Sequence, residues 1–136
     1  MLMDAYLSQE ACQSLNVVNL ISSSSISDGL LIGHKRGHRF FVEKILPSLP
    51  GFFPSLKKYH ELDQLFNGKL LGFFSFNLDE KKIKKILAPF ACGQLFLEIS
   101  SNHKKKMTIK SYVIDYENEF FLLPVGLTRQ EKGTII

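Results

Sequence analysis

The chain of 136 residues has no tryptophan and only two cysteines, Cys12 and Cys92, neither belonging to a CxxC pair. That excludes a disulfide framework and a cysteine-rich metal site, and both thiols read as buried and free. No apolar run approaches the roughly 18 residues that a membrane-spanning helix needs. The first ten residues, MLMDAYLSQE, lack a basic stretch followed by an apolar one, so no secretory signal is expected there. Neither a glycine-rich phosphate loop nor a GxSxG serine elbow is present. These absences point to a soluble intracellular protein, cytoplasmic or nuclear if eukaryotic, without P-loop or serine-hydrolase chemistry.

Phenylalanine is what the chain has in quantity, with twelve residues. Rings in that number must fill a core or face an interface. Gly51-Phe52-Phe53-Pro54 lies in a loop, where two rings are hard to bury. Phe73-Phe74 and Phe120-Phe121 are consecutive pairs in apolar runs, so one member of each points to the opposite face of a strand. Phe52, Phe53, Phe73 and Phe76 therefore form a candidate interaction surface, weighed against a Phe-rich core on both sides of a sheet. Net charge is +4, and the basic residues cluster. Lys35, Arg36 and Arg39 form one group, Lys81, Lys82, Lys84 and Lys85 a second, and Lys104, Lys105 and Lys106 a third. Joined, they would make a phosphate-binding patch on which Phe40, Phe73 and Phe76 could stack bases, although no nucleic-acid-binding motif is present.

The length suits one domain. Ser8 can cap a helix over residues 9–21, where Ala11, Leu15 and Val18 recur at helical spacing. Gly29–Gly33 reads as a buried strand, His34–His38 as a hairpin turn, and Phe40–Leu46 as the returning strand. Pro54 opens a second helix that Gly68 closes, and Lys69–Phe76 is a strongly apolar strand. Asp79 caps a third helix with Ile83, Ile86, Leu87 and Phe90 on its apolar face. Gln94–Ser100 alternates, with Leu95, Leu97 and Ile99 opposite Phe96 and Glu98. Met107–Tyr116 and Phe120–Val125 form a closing hairpin, and residues 128–136 read as a tail. His34 and His38 are four apart but flank a glycine in a turn, so that spacing carries no metal signal. Glu43 and Glu98 stand alone in apolar strands.

This order, with the segments LSQEACQSLNVV, DGLLIGHKRGHRFFVEKILP, LLGFFSF, GQLFLEIS and KMTIKSYVID, resembles the MPN (JAB/JAMM-like, Mov34-type) domain family over about 120 residues. The resemblance implies an α/β, cytidine-deaminase-like fold: a mixed sheet flanked by helices in three layers, with one domain over residues 1–127. It also implies that the zinc-protease site is lost. Where active members carry the two histidines of an HSHP motif, this chain has Ser75 and Asn77, with Leu78 at the proline. The catalytic glutamate position falls on Ile26, and the loop for the third ligand is missing. Zinc catalysis needs three such ligands and an open position for water. The expectation is thus a catalytically inactive module, without metal or cofactor, acting as a scaffold or interaction subunit. Its partner would be an MPN-type subunit, in a homodimer or heterodimer, or a ubiquitin-like system. The alternatives are a small basic nucleic-acid-associated protein and a divergent hydrolase with a relocated site.

Overall fold

The computed structural model describes residues 3–21, 28–48, 61, 63–76, 80, 83–84, 87, 91–101 and 106–129. Among the described residues the elements with full bounds are β1 (Asp4–Leu7), α1 (Gln9–Ile21), β2 (Asp28–Arg36), β3 (Arg39–Ser48), β4 (Leu70–Ser75), β5 (Leu95–Ser101), β6 (Met107–Glu117), β7 (Glu119–Pro124) and β8 (Gly126–Arg129). The strands make a single mixed sheet in the order β7-β6-β5-β4-β2-β3-β1-β8. The expected three-layer α/β arrangement, a sheet flanked by helices, is therefore incorrect: the chain is mostly β. Two segments given no strand from sequence add to the sheet. Residues 4–7 pair in parallel with β3 and β8, and Thr128 and Arg129, assigned to a tail, belong to β8.

The sheet curls because one chain segment serves both its ends. β7 and β8 are separated only by Val125, yet β7 pairs with β6 and β8 with β1. The bend is pinned at Ser111. The Val125 amide donates to the Ser111 carbonyl at 3.0 Å, and the Ser111 hydroxyl donates to the Val125 carbonyl at 2.8 Å.

The helix α1 has the bounds that its periodicity gave. The Ser8 hydroxyl accepts the Ala11 amide at 3.0 Å, the N-cap bond that satisfies a first-turn donor. The same hydroxyl donates to the Glu43 carbonyl at 2.8 Å, tying the helix start to β3. Ala11, Cys12, Leu15 and Val18 pack into the inner face of the sheet with Phe40, Val42, Phe74, Phe76, Leu95, Leu97 and Ile99. A second core lies on the outer face: Leu30, Leu70, Phe73, Phe96 and Ile114 with Ala91, flanked by Phe66, Leu87, Tyr112, Phe120 and Leu122. The alternation expected in β5 is present, with Leu95, Leu97 and Ile99 inward and Phe96 outward.

Of the helix expected to end near Gly68, the described part closes with Asn67 left-handed at φ 55. The Gly68 amide reaches the Asp63 carbonyl and the Asn67 amide reaches that of Gln64, at 3.0 and 3.1 Å, the paired bonds of a Schellman ending. In β4, a Cβ on Gly72 would drive into the Leu95 carbonyl, so close approach of β4 and β5 requires glycine there. Cys12 is buried as expected, but Cys92 is exposed. Among the described residues no helix is long and apolar enough to cross a membrane.

Candidate functional site

The outer face has two halves. Over β4, β5, β6 and β7 it is closed by the second core. Over the tips of β2 and β3, and over β1 and β8, the strand registers lay out two rows of side chains. The first row, running β2 to β8, is Arg36, Arg39, Asp4 and Gly126. The second, two residues along, is His34, Phe41, Tyr6 and Thr128.

Local sequence explains how the rows form. Gly37 and His38 make the two-residue turn that sets Arg36 opposite Arg39. Gly37 takes φ 57, the conformation that such hairpin turns require of their first residue. Below the tip the β2–β3 register shifts between Ile32 and Gly33, leaving Glu43 as the extra residue on β3. A bulge re-aims a side chain, and here the Glu43 carboxylate comes within 2.6 Å of His34 Nδ1. Gly33 is required at the bulge, since a Cβ would meet the Phe41 carbonyl.

The second row is aromatic. His34 stacks on Phe41 with ring centroids 4.9 Å apart and planes 15° from parallel. Tyr6 meets Phe41 at 5.9 Å, tilted by 54°. The first row is charged, with Arg39 Nε 3.5 Å from Asp4 Oδ2. Between the rows lies a shallow pocket of about 220 Å³ lined by Asp4, Ala5, Tyr6, Arg39, Phe41 and Thr128. Both pairs are solvated, with His34 and Glu43 about half exposed, so each contributes little to stability. What they do is hold charge and hydrogen-bonding groups around a ring floor.

The residues singled out from sequence are placed otherwise. Ile26, Asn77, Phe52 and Phe53 lie outside the described residues, as do Lys81, Lys82, Lys85, Lys104 and Lys105. Phe73 and Phe76 are 1% and 7% exposed, in the outer and inner cores respectively. They are packing residues and not a surface, and Phe40, also 1% exposed, offers no stacking platform. The basic clusters do not merge among the described residues. Lys35 turns its ammonium over the Phe40 ring at 4.9 Å, towards the inner core, whereas Arg36 and Arg39 take the outer face. Lys106 precedes β6, which starts beside Ser101 at the opposite end of the strands from the β2–β3 tip. Lys84 is exposed.

Ser75, the position of the first zinc histidine in the resemblance, lies beside Asp28 in the β2–β4 register. Its hydroxyl donates to Asp28 Oδ1 at 2.6 Å, and both residues are 0% exposed. Among the described residues no three His, Cys, Asp or Glu side chains converge as a metal site. A further polar pair flanks the outer core: the Tyr112 hydroxyl donates to Glu98 Oε1 at 3.4 Å. Burial first, then the nearby Glu98 charge and this hydrogen bond, hold the Tyr112 hydroxyl above its ordinary pKa.

Sequence reasoning missed Asp4, Tyr6, Phe41 and Thr128 as a group. The only local signal was the alternation of Asp4, Ala5, Tyr6 and Leu7. The rows arise from parallel pairings between segments far apart in the chain, which no local pattern announces.

No protein-family model matches the chain, and no curated protein matches it. Among solved structures it is similar to the solution structure of protein DSY2949 from Desulfitobacterium hafniense, with 17% sequence identity and a TM-score of 0.63. The likeness covers 94% of this chain and 95% of that one. At that identity it concerns the fold alone.

Proposed function

We propose that the chain is a non-catalytic binding module that docks a protein partner on the open half of its outer sheet face. The observation that carries this reading is the pair of rows around the pocket: an aromatic floor of Tyr6 and Phe41 bordered by the Asp4–Arg39 and His34–Glu43 pairs. Protein interfaces concentrate binding energy in aromatic and arginine side chains, with a polar rim around them. The resemblance implies the same kind of role, an inactive scaffold or pairing subunit, and that role is kept here without the layered architecture. Support for the inactive half comes from Ser75 and Asp28. Their side chains hydrogen-bond one another inside the sheet, and both residues are fully buried.

The test is affinity capture by the tagged protein from native extract, run beside a Tyr6→Ser/Phe41→Ser variant and washed at low and high salt. A stoichiometric protein that survives high salt on the wild type and is lost from the variant supports the reading. Nucleic acid that elutes with salt, with no protein retained, overturns it in favour of the basic-patch alternative.

A further inference from the structure

We infer that the partner segment for this face is acidic and carries one large apolar side chain, with Arg36 and Arg39 reading its carboxylates and the Tyr6–Phe41 floor taking its apolar group. This rests on the proposal that the open face docks a protein, and it names that partner's chemistry.

The hairpin tip supplies the first argument. Arg36 and Arg39 are direct cross-strand partners, so both guanidinium groups leave the same face of the sheet. Like charges directly opposite one another destabilise an antiparallel pair. Asp4 relieves only one side of this: it follows Arg39 in the row, on β1, with Arg39 between it and Arg36. A carboxylate seated over the two arginines turns the repulsion into attraction, and guanidinium groups donate paired N–H bonds to carboxylate oxygens in planar geometry.

The charge balance of the face points the same way. Asp4 is paired with Arg39, and the Glu43 carboxylate hydrogen-bonds the His34 ring. Among the described residues Arg36 remains, and so does Lys44, which pairs in register with the outward-facing Ile32 and is exposed. The surplus on the face is therefore positive. Complementary charge of this kind speeds association and selects partners.

The floor argues for a protein and against a nucleic-acid strand. Phe41 is already covered on one side by the His34 ring, leaving space in the pocket for one side chain and not for a run of stacked bases.

The inference is tested by fluorescence anisotropy with short labelled peptides and the whole protein. The set comprises an Asp/Glu-rich peptide with a central Phe or Leu, the same peptide with that residue changed to Ser, its Lys-rich counterpart, and a single-stranded RNA of matching length. The acidic apolar peptide is expected to bind most tightly. Arg36→Glu is expected to weaken it by about tenfold or more, as loss of a close charge contact does, while Phe41→Ser acts on the apolar peptide only. Thermal unfolding of each variant, with Arg36→Gln as the milder substitution, separates lost binding from lost folding. Tighter binding of the basic peptide or of RNA, or acidic binding that Arg36→Glu and Arg36→Gln both leave unchanged, overturns the inference. If Phe41→Ser releases a captured protein while acidic peptides do not bind, only the partner's chemistry is wrong. If that variant keeps its captured protein, the docking face itself is wrong.

Discussion

Phe96 and Phe41 point to the same side of one sheet, yet one is core and the other is surface. Phe96 lies in β5 under Ala91, Leu87 and Phe66, and its exposure is nil. Phe41 lies in β3, partly exposed, and among the described residues His34 and Tyr6 are its ring neighbours. Both stand in strands of alternating pattern. The difference is whether another segment passes over the strand, and alternation alone does not report that. A partly exposed ring thus gains meaning from its neighbours: beside Phe41 the structure gathers the Asp4–Arg39 and His34–Glu43 pairs and a pocket, while among the described residues beside Phe96 it gathers apolar groups and Tyr112.

The largest effect that tests this comparison belongs to the covered half. Phe96→Ala removes a fully buried ring and should cost about 3–5 kcal/mol, seen as a much lower midpoint in chemical denaturation. Next comes Ser75→Ala, at the closed polar pair. It strips the Asp28 carboxyl of a buried donor and should cost roughly 1–3 kcal/mol, while leaving partner capture by the folded protein intact. A surviving capture separates that buried pair from the binding face. Phe41→Ala, in the open half, should cost only about 1 kcal/mol or less, in the range of surface substitutions with partial packing, and should abolish capture. Equal destabilisation by Phe41→Ala and Phe96→Ala would erase the distinction between the halves.

The smallest effect is a pH effect in the covered half. The Tyr112 hydroxyl is held above its ordinary pKa, by burial first and by Glu98 second. Its neutral form is therefore favoured more in the folded chain than in the unfolded one. This contribution is complete below the unfolded tyrosine pKa of about 10 and is lost as pH rises through the higher folded value. Unfolding midpoints measured from neutral to strongly alkaline pH should fall less steeply in Tyr112→Phe than in the wild type.

Much of the packed interior could be read from sequence. The Ser8 cap, the α1 stripe, the buried run of β2 and the alternation of β5 are short-range patterns, and each is realised. Phe73 and Phe74 do point to opposite faces, but both are covered, so the rings proposed as a surface serve two cores. The open half was not legible. Tyr6 lies in a four-residue strand and Thr128 in another, and they become neighbours only through parallel pairing across the whole chain. Long-range pairing of this kind is specified by the closure of the sheet at Val125 and not by the residues flanking it. The layered architecture expected from the resemblance failed on the same long-range pairing: residues 4–7 and 126–129 are strands that curl the sheet.

The central claim is that the open half of the outer face is where a partner binds. Amide-resolved NMR of the labelled protein, with the captured partner added, tests it most directly. The account predicts shift changes concentrated at residues 4–6, 34–41 and 126–128, with β5 and the Asp28–Ser75 pair unchanged. Changes confined to α1, to β7 or to the surroundings of Ser75, with the two rows silent, would contradict it.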